Sequence, residues 1–200
     1  MTEPFTYPDT THRRRHGPRG YADYESYRPW LRDEFAFRCV YCLTREAWGP
    51  LTGWYAIDHF AALALRPDLA REYDNLLYAC AACNLSKSHF QTPDPTAALL
   101  ASTVRVTDDG VLHADSPEAA QVIEVLGLNR EKLIDYRELW IGIIRVAAAA
   151  DPALYRRLMG FPDELPDLKR LRPPGGNTRP EGVSASHFAL RQGGTLPATY

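Results

Sequence analysis

Cys39-Val40-Tyr41-Cys42 and Cys80-Ala81-Ala82-Cys83 are two C-x-x-C pairs that use all four cysteines of the chain, with 37 residues between them. The two-residue spacing bends the backbone into a knuckle that turns both sulfurs toward one ion. Two knuckles close a tetrahedral four-thiolate site of the kind that holds Zn²⁺. Such a site has no open coordination position, so the expected zinc is structural. Four unrelated buried thiols are the plain alternative, because free cysteine packs well in cores; the paired spacing with no cysteine left over weighs against it. Between the knuckles a β-prone run, Trp54-Tyr55-Ala56-Ile57-Asp58-His59, ends on a carboxylate and an imidazole. Asp74-Asn75-Leu76-Leu77-Tyr78-Ala79 leads into the second knuckle, and Asn84-Leu85-Ser86-Lys87 leaves it. Taken singly these are a strand-end pair, a turn residue and a polar position on a first helical turn. What singles them out is their order, in and just beyond the loop that the cysteines close.

In that order they resemble the HNH endonuclease family, whose fold is the zinc-supported ββα-metal, or His-Me, finger. The resemblance rests on Cys39-Val40-Tyr41-Cys42, Asp58-His59, Asp74-Asn75-Leu76, Cys80-x-x-Cys83-Asn84 and Lys87, about a quarter of the chain. A weaker likeness extends into Leu126-Gly127-Leu128-Asn129-Arg130, Leu133 and Arg137. Asn84 stands where many members carry histidine, which makes this an HNN variant. Phe60-Ala61-Ala62 lacks the proline often found after the Asp-His pair. The resemblance implies an α+β fold, a treble-clef-like ββα-metal finger with the four-cysteine zinc site on two knuckles. Asp58-His59 would end the first strand of a hairpin, Asn75 would sit in its loop, and Asn84 would lie on the crossing helix.

Phosphodiester hydrolysis then suggests the roles. The reaction needs a deprotonated water in line with the leaving oxygen and a cation to absorb the charge developing there. His59 is the natural general base, since imidazole is neutral and basic near pH 7. Asp58 offers a carboxylate and Asn84 an amide oxygen to a hard ion, Mg²⁺ or Mn²⁺, whose remaining shell is water and substrate. Asn75, by resemblance, holds the loop and orients the base. Lys87, three residues after Asn84 and on its helical face, is a candidate nucleic-acid contact. The expected activity is metal-dependent cleavage of DNA leaving 5′-phosphate and 3′-hydroxyl ends. Two other readings stand beside it: a zinc finger that binds nucleic acid without cutting, and the nuclease subunit of a bacterial phage-defence or restriction complex.

The elements that must position these residues follow from pattern. Residues 1–20 are polar and Pro-rich, and His12 to Arg19 carry four Arg and two His with no acid; a disordered basic tail is expected. Residues 27–100 make the expected nuclease core, opening on an amphipathic stretch with Trp30, Leu31, Phe35 and Ala36 on one face. Residues 101–160 read as a small hairpin turning at Asp109-Gly110, followed by a helical extension. Its first helix is capped by Ser116-Pro117 and its second by Asn129. The second carries a stripe of Leu133, Tyr136, Trp140, Ile143, Ile144 and Ala147, a candidate docking face for a protein partner, and a third, short helix starts at Asp151-Pro152. Residues 161–200 hold six Pro and five Gly and are expected to be disordered. His12, His16, His89, His113 and His187 are expected to have no role.

Two hundred residues with 45% apolar and 24% charged side chains are enough for a core that needs no disulfides. A formal net charge of −2 excludes binding by bulk positive charge, so a DNA substrate must meet a local patch. Trp140 to Ala150 is the most apolar window, is broken by Arg145, and falls well short of the ~20 residues of a membrane span. With no apolar h-region near the start, the expected location is the cytoplasm, where paired cysteines more often hold metal than form disulfides.

Overall fold

The computed structural model of the chain describes residues 3–49, 54–100 and 103–200. It is a mixed α+β structure built around two small antiparallel sheets. Helix α1 spans Arg28–Glu34 and buries Trp30 and Leu31. The first knuckle follows it. There Leu43 adopts φ 58° and its amide donates to the Cys39 carbonyl. Strand β1, Tyr55–His59, pairs antiparallel with β2, Leu76–Cys80, in a register running from Tyr55 opposite Cys80 to His59 opposite Leu76. Every residue of β2 is buried, as its unbroken apolar run requires. Helix α2, Ala81–Lys87, leaves β2 directly, so the second knuckle is the strand-to-helix corner. The Val40 amide donates to the Tyr78 carbonyl at 2.9 Å and ties the first knuckle to that sheet.

After the short helix α3, Pro95–Ala98, come strands β3, Val104–Val106, and β4, Leu112–Ala114, which form the second hairpin. The expected boundary after residue 100 falls at residues 101–102, outside the described residues. Gly110 turns this hairpin at φ +80°, and a Cβ there would stand 2.5 Å from the Ile134 carbonyl oxygen; only glycine fits both the backbone and the space. Helix α4, Pro117–Val125, starts with the Ser116 hydroxyl accepting from the Ala119 amide at 3.1 Å. Helices α5, Glu131–Ala150, and α6, Pro152–Met159, complete the extension. Trp140 of α5 stacks on Trp48 with ring centres 4.4 Å apart, fastening the extension to the segment after the first knuckle. No described helix is long and apolar enough to cross a membrane.

Several expectations need correction. Asn129 does not cap α5. Its amide pairs with both the amide and the carbonyl of Leu112, at 2.9 and 2.8 Å, extending β4 sideways. The buried face of α5 is Arg137, Ile141, Ile144 and Ala147. Ile143 is exposed, together with Leu139 at 61% and Val146 at 68%. Leu133, Tyr136 and Trp140 pack partly buried against the core beside that face, so the stripe holds except at Ile143. Arg137 widens the face by turning inward, where its Nε donates to the Gly110 carbonyl at 2.5 Å.

The two terminal segments, expected to be disordered, are packed. Phe5 and Tyr7 enter the core, and the Tyr7 hydroxyl donates to the Tyr41 carbonyl. Residues 17–19 run antiparallel to 175–178 through backbone hydrogen bonds, including Thr178 N to Gly17 O and Arg19 N to Gly176 O, both 2.9 Å. The C-terminal segment forms helices α7, Glu181–Ser184, and α8, His187–Gln192. Both segments meet on α1. Buried Asp33 accepts from His16 Nε2 at 2.8 Å, from Arg15 at 3.1 Å, and from the His187 amide and Nδ1 at 2.8 and 3.0 Å. Burial alone raises the Asp33 carboxyl pKa, but the hydrogen bonds from His16 and His187 outweigh it and hold the group well below the usual carboxylate range. The adjacent Glu34 is likewise held at about 2 against burial, chiefly by His12 and the Arg15 amide.

Candidate functional site

The four cysteine sulfurs lie within 4.8 Å of one another, and all four residues are buried. Cys42 Sγ and Cys80 Sγ are 3.7 Å apart, close to the edge of ~3.8 Å that four sulfurs take around zinc at ~2.3 Å. Thr44 Oγ1 stands 3.1 Å from Cys42 Sγ. Hydrogen bonds from Cys39, Cys80 and Cys83 pull the Cys42 thiol well below the ordinary thiol range. Burial, with the neighbouring sulfurs, pushes Cys39 up. Donor set, spacing and burial fit a structural zinc.

Asp58 and His59 end β1, and Asn75 closes the 60–75 loop beside them. The Asn75 amide is a brace across that loop. Its Oδ1 accepts from the Ala61 amide at 2.8 Å, and its Nδ2 donates to the Ala61 and Leu69 carbonyls, both at 3.2 Å. His59 is 9% exposed, and its ring meets Tyr24 edge-on with centres 4.9 Å apart. His59 Nε2 lies 3.0 Å from the Ala70 carbonyl oxygen. A carbonyl only accepts, so this contact places the proton on Nε2 and leaves Nδ1 with the lone pair.

Successive strand residues face opposite sides, and Asp58 points into the interior, 3% exposed. Its Oδ2 accepts from the Tyr41 hydroxyl at 2.5 Å and its Oδ1 from Lys87 Nζ at 3.1 Å. Burial raises the Asp58 pKa, with Lys87 and Tyr41 opposing. Lys87 is completely buried, and its ammonium also donates to the His59 carbonyl at 2.7 Å. Lys87 is therefore not a nucleic-acid contact as expected; its charge is spent inside the protein. Asn84 lies on α2, partly buried. Asp58 does not fit a hard divalent ion as it is held here. Each oxygen already accepts a hydrogen bond, the group is 3% exposed with no room for an ion's waters, and an ammonium already supplies the positive charge.

Sequence reasoning missed three contributors. Tyr41 was legible only as a filler residue of its knuckle, Tyr24 carried no motif, and the Ala70 carbonyl is a backbone group with no sequence signal. It placed Arg14 and Arg19 in a basic tail, with a phosphate-touching arm as the second reading, and gave Arg71 and Arg179 no role. Arg14 donates to the Leu76 carbonyl at 2.6 Å, and Arg179 forms a paired contact with Asp74 at 2.9 Å on both oxygens. Beside the loop a cavity of about 460 Å³ is lined by Gly17, Arg19, Arg71, Tyr73, Asp74 and Arg179, among others; Arg19 and Arg71 are exposed there. Comparison with known protein families, with curated proteins and with solved structures finds no match to this chain.

Proposed function

We propose that the chain is a zinc-stabilised endonuclease of the HNH type that hydrolyses DNA phosphodiester bonds with His59 as general base. The observation that carries this reading is the fixed imidazole. With Nε2 donating to Ala70 and the loop braced by Asn75, the Nδ1 lone pair is held ready for a water proton. Nδ1 takes that proton, the oxygen attacks phosphorus, and the bond to the 3′ oxygen breaks; that oxygen then gains a proton. The products are a 5′-phosphate and a 3′-hydroxyl.

Phosphate contact in this reading comes from exposed Arg19 and Arg71 at the neighbouring cavity instead of Lys87, which suits a chain with no excess of positive charge. The Mg²⁺ or Mn²⁺ that the resemblance implies would meet in Asp58 a buried carboxylate already bonded to Tyr41 and Lys87. The test is incubation of the full chain with supercoiled plasmid and Mg²⁺ or Mn²⁺, beside His59→Ala. Loss of the base should slow cleavage by about 10²–10⁴-fold with zinc content and DNA binding nearly unchanged. Cleavage by His59→Ala at the wild-type rate would refute the assignment. A wild-type protein that binds DNA and never cuts it would favour the non-catalytic module.

A further inference from the structure

Lys87, Asp58 and Tyr41 form a buried polar chain that the hydrolytic reading leaves without a purpose. Each comes from an element fastened at the cysteine cluster. Tyr41 lies between Cys39 and Cys42, Lys87 lies four residues beyond Cys83 on α2, and Asp58 sits on β1, whose partner strand ends at Cys80. The ammonium has two acceptors, the Asp58 carboxylate and the His59 carbonyl. It therefore ties the side chain of one residue to the backbone of the next. Asp58 is held on the inner face of the strand, and the His59 ring on the other face meets the Ala70 carbonyl through Nε2.

The same contacts argue against an ion at Asp58. A divalent cation there would need room for its waters, which a carboxylate 3% exposed does not offer. It would also have to overcome repulsion from an ammonium 3.1 Å from the carboxylate. Resting on the reading of His59 as general base, we infer that Tyr41, Asp58 and Lys87 are positioning residues that fix the end of β1 from which His59 projects, and that Asp58 is not a ligand of a divalent ion.

The test uses the full chain as Asp58→Asn, Tyr41→Phe, and Asp58→Asn combined with Lys87→Met. The double variant removes both charges together, so folding does not fail for an unpaired buried charge. Three quantities are read: the His59 imidazole tautomer by long-range ¹H–¹⁵N NMR, Mn²⁺ binding by the protein alone by EPR, and kcat and KM on plasmid DNA. Wild-type His59 should show the Nε2–H tautomer, and the double variant a mixture of the two, with zinc retained. Asp58→Asn should leave Mn²⁺ affinity within about twofold, against the roughly 10–100-fold loss expected when support of a metal site is removed. The double variant should lower kcat by about 10–100-fold at nearly constant KM, the cost of a misplaced reacting group. Tyr41→Phe should fall between it and wild type. An Mn²⁺ affinity that collapses in Asp58→Asn would make Asp58 a ligand and overturn the inference. So would a His59 tautomer unchanged in the double variant. If the wild type itself never cuts, the hydrolase reading falls, while the NMR and EPR results still decide whether this network fixes the ring.

Discussion

Replacing Asp33 with alanine should loosen both ends of the chain at once. Its carboxylate is buried and receives four donors: His16 Nε2 from the N-terminal segment, Arg15 beside it, and the amide and Nδ1 of His187 from the C-terminal segment. Arg15 is a third exposed and returns to water at little cost. His16 is fully buried and would lose its acceptor, and the His187 amide at the start of α8 would lose its own. Removing one partner of a buried charged network costs about 3–5 kcal/mol. For a chain of this length each kcal/mol lowers Tm by ~2–4 °C, so Asp33→Ala should melt roughly 6–20 °C below wild type. Urea unfolding gives the free energy, and limited proteolysis locates the change. Cuts should appear early within residues 10–20 and 175–195 while the cysteine-bearing centre stays protected. A loss below ~1 kcal/mol, the range of a surface change, would refute the reasoning. So would a wild type already cut rapidly at both ends.

Chelating the metal should unfold the segment joining the two knuckles, because zinc contributes on the order of 10 kcal/mol in small finger systems; about one zinc per chain by elemental assay and loss of near-UV dichroism on chelation check this. Glu34, lowered from 4.5 to about 2, contributes stability that is full above its unfolded pKa and lost as pH falls through the folded one. Roughly 3 kcal/mol should therefore disappear between about pH 4.5 and 2, with Asp33 adding in the same direction and Asp58, raised by burial, acting oppositely. Urea midpoints at pH 6 and pH 3 decide it; equal midpoints would show that neither carboxylate is held as described. Ser116→Ala removes the cap of α4 and should cost about 1 kcal/mol in urea unfolding, without changing zinc content.

How far the sequence reached depended on whether a signal was local. Ser116-Pro117 announces a helix start and Asp109-Gly110 a hairpin because both act within a few residues, and both stand where the pattern put them. The C-x-x-C pairs are local twice over, and the structure brings their four sulfurs together. The terminal segments failed for the opposite reason. Composition averages over many prolines and glycines, whereas what orders residues 161–200 is a handful of contacts over long separations, such as Gly17 with Asn177 and Asp33 with His187. No window of neighbouring residues contains both halves of such a pair.

Two polar residues carry the same lesson into the core. An apolar stripe on α5 predicts a buried face by counting only hydrophobic positions, so it cannot foresee Arg137 joining that face by turning inward to the Gly110 carbonyl while Ile143 stays exposed. At the candidate site, Lys87 reads as a surface cation because lysine is almost never fully buried unless paired. Its pair is Asp58, 29 positions earlier, and the two are neighbours only because the second knuckle turns β2 directly into α2. The motif letters can name Asp58, His59 and Asn75, but which of them faces solvent is decided by strand alternation and by what packs beneath. Asp58 faces inward onto an ammonium, and His59 faces the Ala70 carbonyl. The two side chains that the motif names side by side therefore end in different surroundings, one bonded to a cation inside the protein and the other to a backbone carbonyl of the loop.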